Sequence, residues 1–117
     1  MDNDSDKEIE LFLSRMKMLI QKGQNYRHFV HRKSRNVRAD LIELGFSSSI
    51  EIWQSLLELT RKDLYKPPEP DHNGSGELIY FFMKSMPNGV NAYVKVKIKS
   101  TDTGELCVCL SFHPAEY

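Results

Sequence analysis

Two short runs near the end of the chain carry side chains able to do chemistry together: Tyr93-Val-Lys-Val-Lys-Ile-Lys99 and Leu106-Cys-Val-Cys-Leu-Ser-Phe-His113. In the first, Val94, Val96 and Ile98 alternate with Tyr93, Lys95, Lys97 and Lys99. The two-residue period of a strand then sends the aliphatics to a core and one phenol with three ammonium groups outward. The same rule puts Leu106, Val108, Leu110 and Phe112 inward and Cys107, Cys109, Ser111 and His113 on the opposite face. In the run from Glu77 to Lys84, burying Ile79, Phe81 and Met83 leaves Tyr80 and Lys84 outside. A face holding Tyr80, Lys84, Tyr93, Lys95 and His113 suits a polyanion that must be gripped and then altered. Lysine neutralises phosphate, tyrosine stacks or donates a hydrogen bond, and imidazole moves protons near neutral pH. RNA fits that description. The plainer reading of the same lysines is solubility and protection against edge pairing.

These runs need elements to position them. The strand-like stretches 77–84, 92–99 and 106–113 are joined by Pro87-Asn-Gly and Thr101-Asp-Thr-Gly104, both hairpin connectors. Ahead of them, Pro67 to Gly76 is rich in turn formers and reads as a surface loop. The first half is helical in period. Ser5-Asp-Lys-Glu8 has capping-box spacing, Ile9, Phe12, Leu13, Met16, Leu19 and Ile20 form one apolar stripe, and Gly23 supplies a stop. Asn25 to Arg32 is aromatic and β-branched enough for a short strand yet too basic to be wholly buried. Ser34 or Asn36 can cap a second helix through Val37, Leu41 and Leu44, closed by Gly45. Ser48-Ser-Ile-Glu51 opens a third, with Ile52, Trp53, Leu56 and Leu57 on its buried face up to Thr60; Thr60-Arg-Lys-Asp63 repeats the pattern for a single turn. The expected architecture is one α+β domain over residues 1–117, with helices of the N-terminal half packed on one face of a C-terminal antiparallel sheet.

The formal net charge is zero, which argues against binding nucleic acid by bulk charge alone, but it hides an asymmetry. Asp2, Asp4, Asp6, Glu8 and Glu10 face only Lys7, whereas Lys22 to Arg38 carries Lys22, Arg27, Arg32, Lys33, Arg35 and Arg38 with no acid. That basic stretch is either a solvated face or a contact for phosphates or an acidic partner segment. Cys107 and Cys109 lie two apart in a strand and read as free thiols, not as a disulfide or a zinc site. Asp71-His-Asn73 reads as turn chemistry. Nucleophile-elbow, P-loop and zinc-protease motifs are absent. With no signal-peptide pattern and no apolar run of membrane-spanning length, a cytoplasmic protein is expected.

The order MKMLIQKG, LIELGFSSSIEIWQSLLELTRKDLYK, ELIYFF, AYVKVKI and CLSFH resembles the MqsR family of bacterial toxin ribonucleases, within the RelE-like group, from about Phe12 to His113. Its most specific parts are Leu59-Thr-Arg-Lys-Asp-Leu-Tyr-Lys66 and Tyr93-Val-Lys95. The resemblance implies an endoribonuclease that needs no metal or other cofactor, cuts messenger RNA and is held inactive by a cognate antitoxin protein. The family's lysine after the aromatic pair falls on Lys66 and its strand tyrosine on Tyr93. Its glutamine in the first long strand lands at or near Tyr80, and its terminal Ser-Phe-Lys reads Ser111-Phe-His113 here. Combining both lines, His113 is expected as acid or base, Lys66 and Lys95 as phosphate clamps, Tyr93 as a donor or positioning group, and Tyr80 as a further catalytic candidate. Lys84, Lys97, Arg32, Lys33 and Arg35 are expected to contact RNA. The rivals are a module that binds RNA or an acidic protein segment without cutting, and a metal-dependent nuclease, for which the sheet lacks clustered carboxylates.

Overall fold

In the computed structural model, which describes residues 3–116, the first helix (α1) spans Asn3–Lys22. Its predicted stripe, Ile9, Phe12, Leu13, Met16, Leu19 and Ile20, is buried throughout. The helix begins ahead of the expected Ser5 cap, so Ser5 lies inside it, and Asp2 of the acidic stretch is outside the described residues. Gly23 ends it at φ 116°, backbone that an L side chain enters only with strain.

The ambiguous basic segment resolves into a short strand, β1 (Arg27–Phe29). Helix α2 (Val37–Glu43) is capped by Asn36, whose side-chain oxygen accepts from the Ala39 N–H at 3.1 Å. Helix α3 (Ile50–Leu57) follows, with the Glu51 carboxylate accepting from the Ser47 and Ser48 N–H groups, and it ends short of the expected Thr60. Thr60 and Asp63 then form a full capping box, but only one 3-10 turn follows. Four strands complete the chain: β2 (Leu64–Pro70), β3 (Leu78–Ser85), β4 (Asn91–Thr101) and β5 (Gly104–Pro114). They form a sheet of order β1-β5-β4-β3-β2 in which β1 runs parallel to β5 and the remaining pairs are antiparallel. This is the expected α+β arrangement, with helices of the N-terminal half against one sheet face. Among the described residues, no helix is long and apolar enough to cross a membrane.

Three sequence expectations are corrected here. Pro67 to Pro70 is strand, not loop. Proline is tolerated because β2 is an edge strand, where the missing N–H breaks no ladder on the open side. In β3 the phase is opposite to that expected: Tyr80 and Phe82 lie opposite Val96 and Val94 and join the core, which turns Ile79, Phe81 and Met83 to the other face. In β5, Cys107 and Cys109 enter the core beside Phe112, while Val108 pairs with Lys97 on the opposite face. Burial pushes the Cys107 thiol up to about 12 and raises Cys109 as well, so both are free but unreactive thiols.

Lys97 points to the open face, as alternation requires, yet is 5% exposed. The 71–77 loop folds over it, and its ammonium group donates to Asp71 at 2.6 Å and Glu77 at 3.0 Å. It is therefore not an RNA contact but the pin of that loop. Lys97 hydrogen bonding holds Asp71 below the usual carboxylate range, and the Ser100 N–H chiefly does the same for Glu77. Carboxylates with depressed pKa stabilise the fold above their unfolded values, and that contribution is lost as pH falls through the folded values. Replacing Lys97 with methionine is expected to lower the melting temperature at pH 7 by about 5 °C or more and to flatten the loss of stability on acidification below about pH 4. Thermal melts of both proteins across that range check this.

Candidate functional site

Register shifts in β5 and β2 shape the open face. In β5, Ser111 lies opposite Lys95 but Cys109 lies opposite Val96, leaving Leu110 unpaired. The extra residue reverses the strand's phase, so Ser111 and His113 come out on the same face as Lys95 and Tyr93 although Cys107 and Cys109 point inward. In β2, Leu64 is opposite Phe82 and Lys66 opposite Phe81. Tyr65 is the extra residue, so Leu64 packs on the core while Tyr65 and Lys66 both reach the open face. Bulges commonly re-aim side chains in this way beside functional sites.

Tyr93 and His113 are direct cross-strand partners, with ring centroids 5.5 Å apart. The exposed Tyr65 ring meets Tyr93 edge-on at 6.0 Å. Behind them Phe81 forms a floor: the Lys66 ammonium lies 4.3 Å and the Lys95 ammonium 5.8 Å from its ring centre. Lys66 also pairs with Glu69 at 3.1 Å, an exposed contact of small energetic weight. Lys95 makes no ion pair among the described residues. Burial, reinforced by the neighbouring Arg32 and Lys66 cations, lowers its pKa from the usual lysine value.

His113 is fixed by the end of the chain. Its Nδ1 lies 2.8 Å from the Pro114 carbonyl oxygen. A carbonyl only accepts, so Nδ1 carries the proton and the neutral ring keeps its Nε2 lone pair for another partner. The segment supplying that carbonyl is tied down on both sides. The Ala115 N–H donates to the Asn91 carbonyl at 2.8 Å, and Arg35 bonds Glu116 while gripping Asp40 with a fork of 2.6 and 3.1 Å. These carboxylates raise the Arg35 pKa further, and Arg35 in turn lowers that of Glu116.

The expected site residues thus divide. Tyr93, His113, Lys66, Lys95 and Arg32 gather on the open face. Tyr80 does not: it is 8% exposed and stacks on Phe12 of α1 at 3.7 Å, on the helix side of the sheet. Lys84 also turns to the helix side, opposite Ala92, and pairs with Glu58 at 3.3 Å. Arg35 is spent on two carboxylates instead of facing solvent as an RNA contact. Lys33 is exposed in the turn between β1 and α2. Three groups went unseen in the sequence reading. Tyr65 falls in the single turn expected after Thr60, ahead of the expected loop, where no strand periodicity marks it; Phe81 is hidden by the wrong phase of β3, and Ser111 by sitting among residues read as merely outward. Among the described residues, no cluster of three or more His, Cys, Asp or Glu side chains could hold a metal ion. No protein-family model matches the chain, and no curated protein matches it in sequence.

Proposed function

We propose that this protein is a metal-independent endoribonuclease that cleaves messenger RNA through the substrate's own 2′-hydroxyl, the toxin of a type II toxin–antitoxin pair acting in the cytoplasm. The observation that carries the nuclease reading is the Tyr93–His113 cross-strand pair, flanked by two lysines over one aromatic floor, with Nδ1 of the histidine turned to the Pro114 carbonyl. The toxin role and the antitoxin partner rest on the resemblance to MqsR-type ribonucleases.

RNA carries its nucleophile, so the enzyme must remove one proton, stabilise a crowded phosphorane and protonate the leaving 5′-oxygen. With Nδ1 bonded to the Pro114 carbonyl, His113 offers Nε2 as the base for the 2′-hydroxyl. The Tyr93 phenol O–H can donate to the phosphoryl or leaving oxygen. Lys66 and Lys95 neutralise the charge that grows on the phosphorane. Tyr65, exposed and edge-on to Tyr93, gives a flanking base a surface on which to stack.

A second reading uses the same face to hold RNA, or an acidic protein segment, without cutting, and the basic, aromatic character of the surface favours it equally. Incubating the purified protein with excess long single-stranded RNA in excess chelator separates them. Multiple-turnover fragmentation is expected. Retention of intact RNA would leave the binding module, and activity lost with the chelator would return the case to a metal-dependent nuclease.

A further inference from the structure

We propose that Ser111 and Arg32 form a phosphate-binding subsite beside the reacting pair, taking an oxygen of the RNA phosphodiester next to the one that is cleaved. The nature of the ligand rests on the ribonuclease reading; the site itself rests on geometry. Ser111 is 3% exposed, and its hydroxyl oxygen is a buried side-chain atom with no hydrogen-bond partner among the described residues. Native structures rarely leave such a group unsatisfied, because it gives up water and receives nothing in exchange.

The hydroxyl borders a narrow crevice between β5 and the connection from β1 to α2, with Phe29, Val30 and Leu110 among its apolar walls and Arg32 and His113 among its polar ones. Across the ladder Ser111 is the partner of Lys95, and two residues along its own strand is His113. Lys95, Ser111, Tyr93 and His113 thus form one two-by-two block on adjacent strands, within the reach of neighbouring side chains on a sheet face. Arg32 is exposed and makes no ion pair among the described residues. Asp40, the carboxylate that lines the crevice, is already held by the Arg35 fork. Among the described residues, a cation without an ion pair and a hydroxyl without a hydrogen-bond partner therefore line one crevice.

Size selects the ligand group. The free volume is about 20 Å³, room for one oxygen-sized atom and far too little for a base. A phosphoryl oxygen meets both needs: it accepts from the hydroxyl and leaves its sister oxygens for the Arg32 guanidinium. A phosphate held there would also set the position of the ribose presented to His113.

The test is titration of the intact protein with inorganic phosphate, followed by backbone amide NMR shifts. Saturable binding with shifts centred on residues 110–113 is expected, weakened about tenfold by Ser111→Ala and by Arg32→Ala, since a hydrogen bond to a charged group carries that much affinity. Lys99→Ala, a cation farther along β4, should leave it unchanged. Ser111→Ala should melt no lower than the parent, because it removes an orphaned hydroxyl. A purely packing role would instead lower the melting temperature and spare the binding. Absence of saturable binding, or binding indifferent to Ser111→Ala, overturns the proposal. For RNA, a neutral methylphosphonate at the phosphate adjacent to the cleaved one should raise KM about tenfold in the parent and have little further effect in Ser111→Ala. Phosphate binding without RNA cleavage keeps the subsite and removes the nuclease. Cleavage indifferent to both changes removes the subsite and keeps the nuclease.

Discussion

His113→Ala is expected to lower single-turnover RNA cleavage by about 10²- to 10⁴-fold, the range typical of a lost general acid or base. The fold should survive the change. His113 is half-buried, and its ring bonds the adjacent Pro114 carbonyl, while the backbone keeps its ladder to β4 and the Ala115–Asn91 bond. The Arg35–Glu116 contact does not involve the imidazole. Circular dichroism melts should therefore differ by only a few degrees, so the loss of rate is chemical. Imidazole added to the buffer should restore part of the rate by entering the space left beside Tyr93. A variant that cleaves at the parent rate would remove His113 from the mechanism.

The second large effect belongs to Lys95. Lys95→Ala should reduce kcat by about 10²- to 10³-fold, as when a single preorganised donor to a developing oxyanion is removed. Stability should move the other way. Lys95 sits half-buried among Arg32 and Lys66, and burial together with those charges lowers its pKa. A proton held less tightly in the fold than in the unfolded chain means that the unfolded state binds more protons in the alkaline range. Stability of the parent then rises with pH there, and the rise should be smaller in the variant. Loss of activity with equal or higher stability at pH 7 would mark Lys95 as kept for anion binding. A destabilised variant with full activity would make it a packing residue.

The legible parts of the sequence were those where one periodicity dominates. The α1 stripe and the β4 alternation predict their buried faces correctly because each element has one wet side and one dry side. Tyr93 and Lys95 were placed on the open face for that reason. His113 was placed there correctly too, but by an argument that fails for the first half of its strand, because Leu110 inserts an extra residue and reverses the phase. Nothing in Cys-Leu-Ser announces a bulge. The Tyr80-Phe-Phe82 run carries no alternation to read: all three are buried, Tyr80 and Phe82 beneath the helices and Phe81 beneath Lys66 and Lys95. Its phase is decided by register against β4, a tertiary fact. β2 escaped notice because Pro67, Pro68 and Pro70 signal a loop unless the strand is known to lie at an edge. Arg35 and Lys97 show a further limit. Both are basic residues at suitable sequence positions, yet carboxylates distant in sequence claim them, Glu116 for one and Asp71 with Glu77 for the other.

The central claim is that the nucleophile is the ribose 2′-hydroxyl, deprotonated by one side chain while another protonates the leaving oxygen. End-group analysis of fragments released in excess chelator tests it most directly. A 2′,3′-cyclic phosphate on one fragment and a 5′-hydroxyl on the next are predicted, since the attacking oxygen stays on the upstream ribose. Fragments bearing a 3′-hydroxyl and a 5′-phosphate would mean that water attacked instead, and would contradict the account.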